Sequence, residues 1–199
     1  MLTLHACEAS PETAVVVDGA QLAAVGPYEA LAADPPRARV RRWPGILTPG
    51  LLNPYGPELL EQAYHPDPRE ADRLGTEPVF GKRALALLGA DASARGASAR
   101  RGVQRMLAHG TVAVAGELRS RAALDAVRGA GLAVAARPAT LPGPASFSPV
   151  PLVLLPALAP GGPARFAVFD VPDRAALVRE GAATCVATVV GGRLVYRGR

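Results

Sequence analysis

Residues 111–136 read TVAVAGELRSRAALDAVRGAGLAVAA, and the change of texture along them decides the fold. Residues 111–115 are β-branched or small and apolar, which predicts a strand. Ser120 stands where a helix N-cap is wanted, the helical pattern runs through Arg128, and Gly129 and Gly131 stop it. Residues 132–136 form a second apolar strand. Two strands joined by a helix lie parallel with a right-handed crossover, the repeating unit of barrels and doubly wound sheets. Upstream, residues 82–88 and 98–108 carry helical periodicity, and Gly110 sits at a C-cap position. One clear β-α-β repeat is present.

Outward from this segment the ends turn β-rich. Residues 2–6, 14–17 and 21–25 are short strands, with Asp18-Gly19 as a two-residue hairpin signal between the second and third. Residues 27–33 supply one or two helical turns, which Asp34-Pro35-Pro36 breaks, and residues 38–43 follow as a half-exposed strand. Residues 46–52 read as one more buried strand. High proline density over 54–78 leaves one short helix near 57–62 in otherwise irregular chain. Residues 138–163 read as a connector whose apolar run, 152–155, carries a single strand. A strand at 166–169, a short helix within 171–180, and a hairpin of 184–190 with 193–196 across Gly191-Gly192 complete the chain. The fold class is therefore α/β. Residues 1–45 and 164–199 build a composite, β-sandwich-like lobe from both termini, and 46–163 form an incomplete (β/α) barrel-like segment between its halves.

Composition narrows the functional classes. The chain has 199 residues and 49% hydrophobic residues, enough for a core of its own. No apolar run approaches the ~18 to 20 residues of a membrane span. The first seven residues lack a basic lead, and Glu8 and Glu12 follow at once, so a cytoplasmic location is expected. With 22 Lys+Arg against 17 Asp+Glu the net charge is +5, and Arg37, Arg39, Arg41 and Arg42 form the densest basic cluster. No interleaved aromatic set, helix-turn-helix spacing or zinc finger accompanies it, so nucleic acid is not an expected partner and the cluster reads as a solvated strand face. Cys7 and Cys185 stand in no CxxC motif and read as buried thiols.

Three stretches resemble the amidohydrolase superfamily, in its imidazolonepropionase-like and aminodeoxyfutalosine-deaminase-like branch. They are VVVDGAQLAAVGPYEAL with VRRWPGILTPGLLN between Val15 and Asn53, RGVQRMLAHGTVAVAG with ALDAVRGAGLAVAARP between Arg101 and Pro138, and APGGPARFAVFD with VATVVGGRLV toward the C-terminus. The resemblance implies a composite β domain, a metal-dependent barrel and hydrolysis of non-peptide C–N bonds. It also implies zinc or iron held first by a His-x-His pair just after TPGLLN. Here Tyr55 and Pro57 take those two positions, and neither replaces neutral imidazole. Between 138 and 165 there is no His, Asp, Glu or Cys, and a full barrel takes ~250 residues. The expectation is a degenerate relative without a metal cofactor, its activity lost, or alternatively a non-catalytic binding or dimeric scaffold module open to a small-molecule ligand. A homodimer would cover the sheet edge that truncation exposes.

Four residues could line a residual cleft at strand carboxyl ends: Glu117 first, Tyr55 second, then Glu58 and Glu61, which otherwise read as surface charge. His5 and Cys7, at i and i+2 on a strand, form the only neighbouring ligand pair, which Cys185 would join if the terminal strands met. His109 reads as a helix-end residue and His65, between Tyr64 and Pro66, as exposed loop.

Overall fold

The computed structural model describes residues 2–33, 38–141 and 143–198; the expected break at Asp34-Pro35-Pro36 and the position of Arg37 lie outside them. The chain begins β1 (Thr3–Cys7), β2 (Ala14–Asp18), β3 (Gln21–Gly26), α1 (Tyr28–Ala33), β4 (Arg39–Trp43), β5 (Ile46–Thr48) and β6 (Leu51–Asn53). It continues with α2 (Gly56–Leu60), a 3₁₀ turn at Pro68–Glu70, α3 (Ala71–Leu74), α4 (Gly81–Leu88), α5 (Ala92–Ala108), β7 (Thr111–Ala115), α6 (Arg121–Gly129) and β8 (Ala133–Ala135). The last elements are β9 (Phe166–Phe169), α7 (Arg174–Glu180), a 3₁₀ turn at Ala182–Thr184, β10 (Cys185–Val190) and β11 (Arg193–Arg197).

Two four-stranded sheets hold the termini, in the orders β3-β2-β1-β4 and β11-β10-β9-β5. The hairpin expected at Asp18-Gly19 closes with Asp18 opposite Gln21, and β4 returns parallel to β1. The inner faces share one apolar cluster, in which Val15, Val17, Leu22 and Trp43 meet Leu47, Phe166, Val168 and Val189. Period-2 alternation sets this: odd positions of β1 and β2 enter the gap, while Leu4, Ala6 and Ala14 turn outward beneath α1.

The third sheet is parallel, in the order β6-β7-β8. Its strands alternate with α5 and α6, whose apolar stripes pack Val103, Met106, Leu107 and Val127 onto Val112 and Val114. The opposite face, Leu52, Ala113 and Ala115, is covered by Val153 and Leu155 of the connector. The architecture is thus mixed α/β with three sheets, and the described residues close no barrel.

Two strand expectations are corrected. The apolar stretch 46–52 is not one strand: it breaks at Pro49-Gly50, so that β5 pairs antiparallel with β9 and β6 parallel with β7. A proline cannot donate to a ladder, and the chain uses it to change sheets. The connector run 152–155 is not a regular strand either. It makes a bridge between Leu154 and Leu51, with Leu52 N donating to Val153 O at 2.8 Å. Residues 64–79 are less irregular than expected, because Asp67 and Glu70 form a capping box around Pro68. That Asp-Pro-x-Glu spacing is a legible helix-start signal. Likewise α5 begins at Ala92, capped by the Asp91 carboxylate accepting from Ser93 N at 2.8 Å. No helix among the described residues is long and apolar enough to cross a membrane.

Candidate functional site

The carboxyl ends of the parallel strands open into a cleft of about 680 Å³. Its walls are α2 with the residues after it, the β7–α6 loop and the segment after β8, and its polar lining is Glu58, Glu61, Gln62, Glu117, Arg119 and Arg137. Three of the four expected cleft residues meet there. Ligands of open α/β sheets bind in this position, because the loops there diverge and the helix N-termini point inward.

Each carboxylate in the cleft already has a partner. Glu58 takes a two-pronged ion pair from Arg137, at 2.9 and 2.7 Å. Glu117, exposed, pairs with Arg119 at 3.1 Å. Glu61 does something the sequence does not announce: its Oε1 accepts from Arg119 N at 2.7 Å and Ser120 N at 2.6 Å. It therefore satisfies backbone donors at the entry to α6, a role expected of Ser120, whose side chain makes no cap bond. This acceptor lies 59 residues before Ser120 in sequence, and no local pattern could have found it. Removing it in Glu61→Ala should cost about 1 kcal/mol, the usual worth of a helix cap, with Glu61→Gln retaining most of that stability. Urea midpoints of the two variants measure this.

Tyr55 is not in the cleft lining. It is 2% exposed, packs in the core beneath α5, and donates its hydroxyl to Gly143 O at 2.6 Å. Its backbone N donates to Asn53 Oδ1, which turns the chain from β6 into α2. Burial, then the neighbouring Glu58, raises the phenol further above its ordinary range, so it stays protonated. Pro57 occupies the first turn of α2 and offers no donor atom. The two positions where the resemblance places imidazoles therefore do not fit zinc or iron. Among the described residues no three His, Cys, Asp or Glu side chains converge as a ligand set.

The histidines are structural in their contacts. His65, expected in an exposed loop, is 0% exposed: Nε2 sits 2.6 Å from Leu59 O, the backbone N donates to Ser98 Oγ, and Nδ1 has no partner. Gly102 of α5 makes the hole, since a Cβ there would stand 2.6 Å from His65 Nε2. Burial lowers the pKa of this imidazole. His109 caps the C-terminus of α5, with Nδ1 2.8 Å from Arg105 O. His5 accepts from Trp43 Nε1 through Nδ1 at 3.2 Å. Cys7 and Cys185 are buried in different apolar clusters, and burial pushes their thiols up to about 12 and about 11.

No family model matches the chain, and no curated protein does. Among solved structures it is similar to a zinc-bound adenosine deaminase from Xanthomonas campestris, at 16% identity and TM-score 0.45 over 66% of this chain and 32% of that one. It is also similar to N-isopropylammelide isopropylaminohydrolase from Burkholderia multivorans, at 18% identity and TM-score 0.43 over 70% and 38%. Guanine deaminase from Bradyrhizobium japonicum gives 18% identity and TM-score 0.39 over 61% and 27%. Each of the three is a deaminase or an aminohydrolase, and the chain spans roughly a third of their lengths.

Proposed function

We propose that this chain is a degenerate amidohydrolase-like protein that acts as a non-catalytic binding module, taking a small polar molecule in the cleft between Glu58, Glu117 and Arg137. The observation that carries this reading is the engagement of Glu61 with the N–H groups of Arg119 and Ser120. Hydrolysis of a C–N bond needs a base for water and donors for the oxyanion. The N-terminus of α6 is where such donors would stand, and the chain's own carboxylate fills it. Glu58 is held in a fork by Arg137, and the metal positions carry Tyr55 and Pro57. What remains is a polar recess with charges of both signs on a rigid sheet end, which suits binding. The free edge of β8, where Val134 is 53% exposed, is the surface a second copy would cover.

Elemental analysis of protein purified without chelator tests the reading: zinc and iron should both fall well below one per chain. One tightly held ion per chain, with hydrolysis abolished by chelation, would restore the enzyme. Light scattering on the same preparation reads the dimer, and a strict monomer at micromolar concentration removes it.

A further inference from the structure

Three guanidinium groups gather at one margin of the gap between the two four-stranded sheets, away from the cleft. The β1–β4 register sets His5 opposite Arg41 and Cys7 opposite Trp43, so Arg39, Arg41 and Trp43 share the face that enters the gap. Arg197, opposite the buried Ala187 at the end of β11, reaches across from the other sheet, and its guanidinium carbon lies 5.9 Å from the Trp43 ring. Among the described residues no acid forms an ion pair with any of the three arginines. Arg41 is half-buried, and its Nε is shut away from solvent without a hydrogen-bond partner.

Such an arrangement opposes folding. A donor cut off from both water and acceptor loses its hydration uncompensated, and like charges nearby add repulsion. Burial first, then Arg39 and Arg197, pull the Arg41 pKa below its ordinary value, the direction expected when a cation lacks a counter-charge. The missing component is an acceptor with negative charge, and planar guanidinium forks match the oxygens of phosphate.

We propose that Arg39, Arg41 and Arg197 form a binding site for a small phosphate-type oxyanion, with Arg41 as its part-buried anchor. Arg39 and Arg41 are rooted about 7 Å apart, two residues along one strand, so each fork can take its own phosphoryl group. A diphosphate should therefore bind more tightly than a single phosphate. This site is independent of the cleft and of the reading given to it.

The chain has one tryptophan, and it stands beside the site. Titration with sodium diphosphate, at ionic strength held constant with sodium chloride, should shift the Trp43 indole N–H resonance saturably. Arg41→Gln should weaken binding about tenfold or more, the worth of a charge-assisted hydrogen bond, whereas Arg121→Gln on α6 should leave it unchanged. Arg41→Gln should also be at least as resistant to urea as the parent without anion, because it removes an unpaired, part-buried charge. If that variant does not fold, the exposed Arg197→Gln carries the same affinity test. An unmoved indole resonance, a response that chloride reproduces, or equal affinity in parent and variant would overturn the site.

Discussion

Gly45→Ala is expected to lower the urea midpoint by roughly 1 to 2 M, a loss of about 2 to 5 kcal/mol. Gly45 links β4 to β5 with φ +69°, and a Cβ built on it would stand 1.9 Å from Phe169 O and 2.7 Å from Asp170 Cα. Both obstacles are backbone, so no rotamer change relieves them. The chain would have to lift β5 off β9, breaking the pairing of Ile46 with Phe169. A left-handed φ costs a non-glycine residue about 1 to 2 kcal/mol, and overpacking adds about 1 to 3. Against a total stability of about 5 to 15 kcal/mol, that is a substantial fraction. Gly19→Ala is the control: φ is +56°, but nothing lies within 4 Å, so only the conformational part should appear, about 1 to 2 kcal/mol. Equal midpoints for the two variants would refute the close approach at Gly45.

The next junction, Pro49-Gly50 between β5 and β6, marks where the fold stops being legible in sequence. Strands whose partners are local could be read: β2 with β3 across Asp18-Gly19, and β10 with β11 across Gly191-Gly192, because a two-residue turn fixes register by its own chemistry. The alternation of β7, α6 and β8 is equally plain. What could not be read is which sheet an apolar strand joins. Residues on both sides of Pro49-Gly50 are uniformly buried, and burial alone does not distinguish an antiparallel partner 119 residues away from a parallel one in the next repeat.

The site divides along the same line. Glu58 and Glu117 could be found because they follow strand ends, and ligand sites of parallel sheets lie at the carboxyl ends of their strands. Tyr55 follows a strand end too, yet its ring fills the core and its hydroxyl is taken by Gly143 O. An aromatic with a polar tip satisfies either environment, and only tertiary packing chooses. The burial of His65 is hidden from the sequence for a related reason. Its flanking Tyr and Pro describe a loop correctly, but the space that buries it is made by Ser98 and Gly102 on a distant helix. The arginine cluster likewise depends on a non-local meeting: Arg39 and Arg41 read as a solvated strand face until β11 brings Arg197 across the gap.

Acid should destabilise the fold from pH 6.5 downward, and His5 should carry much of the effect. His5 lies in the inter-sheet gap with Trp43 stacked at 6.1 Å and Phe166 edge-on at 5.0 Å. Its Nδ1 must stay unprotonated to accept from Trp43 Nε1, and burial followed by the charge of Arg41 lowers its pKa from 6.5 to about 4. Above pH 6.5 neither folded nor unfolded chain holds the extra proton, so nothing is lost. Between 6.5 and about 4 the unfolded chain binds a proton that the folded chain refuses, and stability falls with decreasing pH; below about 4 the folded form binds it too and the slope from this group ends. Two and a half pKa units correspond to about 3 kcal/mol across that window. His65, also lowered, acts in the same direction. Urea midpoints taken between pH 7 and 5 separate the two: His5→Gln can still accept from Trp43 and should remove about one proton from the pH slope, leaving the smaller share of His65 behind. A slope unchanged in His5→Gln would mean that the imidazole is solvated in the folded protein. Diphosphate bound at Arg41 would oppose the charge that keeps His5 neutral, so the acid loss should also shrink when that anion is present.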